Sequence, residues 1–235
     1  MSTQPEAFKA QLVSAKGMSC WVIAVFVDVR GFTAFAGKGE SVEAALFIKR
    51  MYFGILDRYF PDATFVKPTG DGLMLIFEFE EGTLDDTIEA VFLNALELVE
   101  AFPSFINDPM LSGPLPQRLG VGIAQGPATR LSCEDGDIDF SGRALNLAAR
   151  LMDIARPGGV VVDGRVGDHT RVLLEDRGFE AEPVYLRGIA ETESPRLVFR
   201  HAQRTSIPHS ARKAPVRYTP IPGISEGLSS GNPAP

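Results

Sequence analysis

Two carboxylates, two donors on one helix and a lysine–aspartate couple are the residues of this sequence best suited to chemistry. Asp28 lies in Phe26-Val-Asp-Val-Arg-Gly-Phe-Thr33, near the end of an otherwise apolar run from Trp21 to Val29. Such a run reads as a strand buried on both faces. An ionised carboxylate there is costly unless a cation compensates it, so Asp28 requires a metal or a basic partner. Asp71 occupies Pro68-Thr69-Gly70-Asp71-Gly72, a Gly-rich turn between two β-rich runs, and so stands at a hairpin tip. Two hard oxygen donors at one sheet end suit Mg²⁺ or Mn²⁺, which proteins hold with one or two carboxylates plus substrate phosphates. Plainer roles compete: a strand Asp accepts structural hydrogen bonds, and Gly-Asp-Gly often only turns the chain.

Asn146 and Arg150 are four apart in a predicted helix and project from one face. Leu145, Ala148 and Met152 point elsewhere. An amide beside a guanidinium suits an anionic transition state, because both donate to oxygens that gain charge. An exposed polar face of an amphipathic helix is the plainer account. Lys67, just before the hairpin turn, and Asp139, just before the third helix, offer a donor and an acceptor with which to read a base edge. Singly, each is an ordinary solvated charge.

The elements that must position these groups follow from periodicity and punctuation. A first strand spans about 21–28 and breaks at Gly31, with a loop continuing through Gly37-Lys38-Gly39. Ser41 caps a helix running to about Tyr59, with Phe47, Met51 and Ile55 on its apolar face. Ala63–Lys67 and Leu73–Phe79 form the hairpin. A second helix runs from Asp85 or Asp86 to near Pro103. Arg118–Ala124 is a strand closed by Gly126-Pro127, and Cys133–Asp139 an acidic loop. The third helix covers Arg143–Ile154. Val160–Val162 is a strand, Asp163–Val172 a short helix, and Pro183–Leu186 and Arg196–Phe199 a final strand pair. This order predicts an α+β domain, residues 18–202, with a ferredoxin-like βαββαβ core, extra C-terminal strands and helices, and helices on one side of the sheet. Residues 1–17 read as a lead-in. Six of the 17 prolines fall in the last 28 residues, so 203–235 is predicted to be a disordered tail.

Composition narrows the function classes. At 235 residues and a net charge of -7, the chain has room for one good-sized core and lacks the basic surface of a nucleic-acid binder. Its two cysteines have no metal-ligand spacing and read as structural thiols of a reducing compartment. No signal pattern opens the chain, and no apolar run approaches the ~20 residues of a membrane helix. A cytoplasmic protein that does not span a membrane is expected.

In order along residues 20–200, five stretches resemble the class III nucleotide cyclases. Phe26–Thr33 is similar to their first metal motif and Lys67–Met74 to their second. Arg118–Pro127 is similar to their central strand and Gly-Pro turn. Asp139–Met152 is similar to the segment carrying their transition-state Asn and Arg, and Leu186-Arg187-Gly188-Ile189 to a late basic turn that touches triphosphate. The resemblance implies that Asp28 and Asp71, with the Val29 carbonyl, hold two Mn²⁺ or Mg²⁺ ions. It implies that Arg150 stabilises charge on the α-phosphate and Asn146 orients the ribose. Arg187 would touch the triphosphate, standing where the family usually has Lys. It further implies a head-to-tail homodimer with two shared sites, in which Lys67 and Asp71 of one chain serve opposite sites.

The base-reading positions match Lys67 and Asp139, a pair typical of adenylate cyclases. Lys donates and Asp accepts, so the pair fits adenine, cytosine or uracil alike. Pocket volume must separate them. Thr69 and Ser141 depart from the family's bulkier residues, and Tyr52 on the first helix either fills purine space or packs in the core. The short chain resembles the bacterial pyrimidine cyclases of Pycsar antiphage systems, whose product activates a separate effector. The expectation is UTP, then CTP, with ATP as the rival substrate and an inactive nucleotide-binding module as a further alternative.

Overall fold

The computed structural model describes residues 4–39, 41–80, 82–111, 114–186, 188–189 and 195–214. Its longest early element is β1 (Lys16–Arg30), whose apolar positions alternate between two covered faces. Ile23, Val25, Val27 and Val29 join one core with α3 (Ser41–Gly54) and α4 (Leu84–Phe105). Val22 and Ala24 join a second core with α5 (Arg143–Ile154). The strand is therefore buried on both faces, as its composition predicts, and the helices flank both faces of the sheet, not one.

The hairpin strands β2 (Phe65–Pro68) and β3 (Gly72–Glu78) lie on one side of β1, and β4 (Arg118–Cys133) on the other. Beyond these lie β6 (Gly159–Asp163), β7 (Phe179–Val184) and β8 (Arg196–His201). Among the described residues the sheet has eight strands in the order β2-β3-β1-β4-β6-β8-β7, with β5 (Gly136–Ser141) attached to β4. The antiparallel set β2-β3-β1-β4 is the expected ferredoxin-like core, and the parallel β4–β6 pair begins the C-terminal addition.

Close approach explains how α5 sits. A Cβ at Gly122 of β4 would lie 2.1 Å from the Ala148 carbonyl oxygen and 2.3 Å from the Met152 nitrogen. The glycine lets the helix backbone rest directly on the strand backbone.

Several boundaries differ from the sequence reading. Residues Gln4–Ser14 of the lead-in form a helix, α1, with no buried residue, and β1 begins at Lys16. The loop after Gly31 contains a short helix, α2 (Phe32–Ala36). The helix expected to end at Tyr59 finishes as a π turn over Ile55–Tyr59. α4 continues past Pro103 to Phe105. β4 runs on through Gly126-Pro127, and the acidic loop becomes β5, because long pairing with β1 and β5 satisfies backbone groups that local turn signals would release. The short helix after β6 is two, α6 (Gly164–His169) and α7 (Arg171–Asp176).

The predicted tail starts too early. Thr205, Ile207 and Ala211 are buried, the Ser206 amide donates to the Arg156 carbonyl, and the Tyr185 amide donates to the Ala211 carbonyl at 2.7 Å. Arg212 pairs with Glu182. Three buried side chains and these backbone partners outweigh the polar composition, so the strap 203–214 belongs to the domain. The expectation of disorder from 215 onward falls outside the described residues.

Candidate active site

Strand register brings the two carboxylates to one end of the sheet. Asp28 of β1 stands opposite Gly72 of β3, and the Val29 amide donates to the Asp71 carbonyl at 3.2 Å. Gly70, at φ +92°, makes the turn that sets Asp71 beside the strand end. A Cβ at Gly72 would lie 2.2 Å from the Val27 carbonyl oxygen, so Gly72 lets the hairpin close onto β1.

Asp28 is not left uncompensated. Its Oδ2 accepts from Arg30 Nη1 at 2.6 Å. This is the basic partner that the sequence allowed as the alternative to a metal. Burial still pushes the Asp28 carboxyl above its ordinary range; Arg30 opposes that rise and the nearby Asp71 charge adds to it. A carboxylate so placed gains from an added cation. Two carboxylates and main-chain carbonyl oxygens form a hard donor set that fits Mg²⁺ or Mn²⁺. Among the described residues no group of three or more His, Cys, Asp or Glu is arranged to hold an ion, so phosphate oxygens would have to complete the coordination.

The other donors lie elsewhere on the chain. Asn146 and Arg150 are exposed on α5, whose Ala144, Leu147, Ala148 and Leu151 face the core. Arg150 pairs with Asp153 at 3.2 Å, with both side chains half exposed. Lys67 Nζ meets Asp139 Oδ2 at 2.6 Å, joining residues 72 apart in sequence. The Phe65 and Phe140 rings, neighbours of this pair along β2 and β5, pack at 5.0 Å and hold the two strands together beneath it.

Tyr52 lies on α3 beside the hairpin turn. Its ring packs against the core and its hydroxyl donates to the Gly70 carbonyl in the turn that carries Asp71. Burial, and then the Asp71 charge, push its phenol above the usual range, so it stays a neutral donor. Arg187 falls outside the described residues. The adjoining Gly188, at φ +75°, brings that turn near Arg150, since a Cβ there would lie 3.8 Å from Arg150 Nη2.

The sequence profile of the adenylate and guanylate cyclase catalytic domain matches residues 14–194. The chain belongs to this family. A pH-sensitive adenylate cyclase of Mycobacterium tuberculosis is 30% identical over 187 residues, covering 78% of this chain but only 42% of that protein. The cyclase fold recurs in the adenylyl cyclase CyaB of P. aeruginosa, with a TM-score of 0.62 at 17% identity over 78% of this chain and 94% of that one. It recurs also in the guanylate cyclase domain of RhGC from Catenaria anguillulae, with a TM-score of 0.56 at 14% identity over 78% and 96% of the two chains. No helix among the described residues of this cyclase domain is long and apolar enough to cross a membrane.

The residue that motif reading missed in this cyclase domain is Arg30. It lies within the first motif, but the sequence reading assigned it no role. The signal was available: residues two apart in a strand share a face, so Arg30 had to lie on the Asp28 side.

Proposed function

We propose that this cyclase domain converts a nucleoside triphosphate to a 3′,5′-cyclic nucleotide and diphosphate, at sites shared between two head-to-tail copies. The observation that carries the reading is the pairing of Asp28 with the Asp71 turn at one end of β1. Asp28, Asp71 and the Val29 carbonyl would hold the two divalent ions. Bound there, these ions acidify the ribose 3′-hydroxyl and neutralise polyphosphate charge. In cyclisation the 3′-hydroxyl gives up its proton to solvent as its oxygen attacks the α-phosphorus in line, and the bond from the α-phosphorus to the bridging oxygen breaks to release diphosphate. Arg150 donates to α-phosphate oxygens that gain charge, Asn146 orients the ribose, and Arg187 meets the triphosphate. Arg150 and Asn146 would act in the site whose carboxylates come from the other copy.

Lys67 and Asp139 would open their mutual ion pair to receive the base, the lysine donating and the aspartate accepting. We assign a pyrimidine substrate, UTP before CTP, with Tyr52 fixed over Gly70 as the group that limits pocket volume. The cyclic product would act as a messenger for a separate effector that binds it, in an antiphage response. ATP is the second reading, favoured by the similarity to a mycobacterial adenylate cyclase. Incubation with Mn²⁺ and each of the four triphosphates, with mass identification of the product, tests both. A cyclic pyrimidine nucleotide supports the first, cAMP the second, and no diphosphate release from any of them refutes the cyclase reading.

A further inference from the structure

Arg30 reaches in two directions. Strand alternation sets it on the α5 side of β1 together with Asp28, whose Oδ2 it meets at 2.6 Å. Its Nη2 donates to the Met152 carbonyl and, at 3.4 Å, to the Ala155 carbonyl. These oxygens end α5, where the dipole is negative; the Met152 carbonyl also accepts from the Ala155 amide at 3.1 Å, and Arg30 adds a charged donor to it. α5 has no basic residue in its own last turn, so a cation from β1 takes that place. The Arg30 side chain is nine-tenths buried. A Cβ at Gly120 would lie 1.8 Å from Nη2, so that glycine keeps open the channel through which Arg30 passes.

We propose that Arg30 is a positioning residue that couples the two half-sites carried by one subunit. It holds the metal-side carboxylate Asp28 and, through the end of α5, sets the angle at which Asn146 and Arg150 are presented. A cation held at Asp28 would compete with the guanidinium for its carboxylate. Ion binding at one site is thereby felt by the helix that serves the other. This rests on the shared-site reading given above.

The test uses the full chain and titrates Mn²⁺ against the thermal midpoint alongside diphosphate release. Arg30→Ala removes a positive charge beside the carboxylates and the strut on α5 at once. Half-saturating Mn²⁺ should fall about tenfold, while kcat falls about a hundredfold through misplacement of the helix. Tighter ion binding with slower turnover is a split that general loosening of the fold would not give. Arg30→Lys keeps the charge but cannot span both partners, so its Mn²⁺ titration should match wild type while kcat stays at least about tenfold low. Arg30→Ala subunits mixed with Asn146→Ala subunits give one site with an intact metal side and an Asn146-bearing helix that lacks its strut. That mixture should stay slow. Weakened Mn²⁺ binding in Arg30→Ala, or recovery in this mixture equal to that of an Asp28→Ala and Arg150→Ala mixture, overturns the coupling. Failure of wild type to release diphosphate would refute the cyclase reading alone, because the Mn²⁺ titration reads Arg30 without turnover.

Discussion

The carboxylate end of β1 and the outer face of α5 are built in opposite ways. Asp28 and Asp71 are fixed by backbone pairing: the β1–β3 register, the Val29 amide and the Gly70 turn leave them little choice of place. Asn146 and Arg150 ride on a rigid helix but end in exposed side chains, one of which rests on Asp153. Such a difference suits a division of labour. Like-charged carboxylates repel and must be held by the fold, whereas flexible donors need only a firm base and acquire their geometry when an anion arrives.

The comparison can be broken most severely at the carboxylates. Asp71→Ala should abolish turnover while leaving the thermal midpoint nearly unchanged, because the side chain stands at a turn; calorimetry with a diphosphate assay reads both. Arg150→Ala should cost about 10²–10³ in kcat, the range for removing a donor to transition-state charge. Mixing Asp28→Ala with Arg150→Ala should then restore roughly a quarter of wild-type activity, since random pairing makes half the dimers mixed, each with one intact site. No recovery despite proven subunit exchange would remove the division between copies. Asp28→Asn sharpens the contrast in the other direction. Burial outweighs the Arg30 pair and holds the Asp28 carboxyl above its usual range, so the ionised form costs stability at neutral pH. The neutral isostere should therefore be inactive, and its melting midpoint should gain on that of wild type as pH rises through the unfolded carboxyl value, roughly 3.9, because only wild type then takes on the cost of ionising.

The smallest effect lies away from both regions. Burial would raise the Glu182 carboxyl, but hydrogen bonds from Arg200 and Arg212 outweigh it and hold it low. A depressed carboxylate stabilises the fold above its unfolded pKa, roughly 4.3, and loses that contribution as pH falls through the folded value. Glu182→Gln should melt slightly below wild type at pH 7 and converge with it in acid. Equal midpoints at both pH values would show that the strap 203–214 does not lean on this cluster.

Much of this was legible in the sequence because the relevant groups sit in local patterns. The apolar run around Asp28, the Gly-Asp-Gly turn and the i, i+4 pair on α5 each announce their element. The joining of Lys67 to Asp139 was only half legible: each stood at an element boundary, but their meeting depends on β5, which read as an acidic loop. Pairing with β4, from Cys133 opposite Gly136 at a tight turn to Thr129 opposite Ser141, made it a strand, and the acidic residues at its tip masked that hairpin. Ile207 and Ala211 were hidden by surrounding Pro and Ser, though their spacing let both reach the core. Arg30 is legible only through strand alternation, which sets it on the face of Asp28 and makes it the basic partner that a buried carboxylate requires.

The bare contact at Gly122 has a consequence for motion. Where side chains separate a helix from a sheet, the helix can rock on them. Here α5 touches β4 backbone to backbone, so both move as one solid body. The main chain at Asn146 and Arg150 should therefore show order parameters near ~0.85, the value of a rigid core strand, while their exposed side chains reorient freely. Gly122→Ala would lever the helix off the sheet at a cost of about 1–3 kcal/mol and turn one rigid body into two.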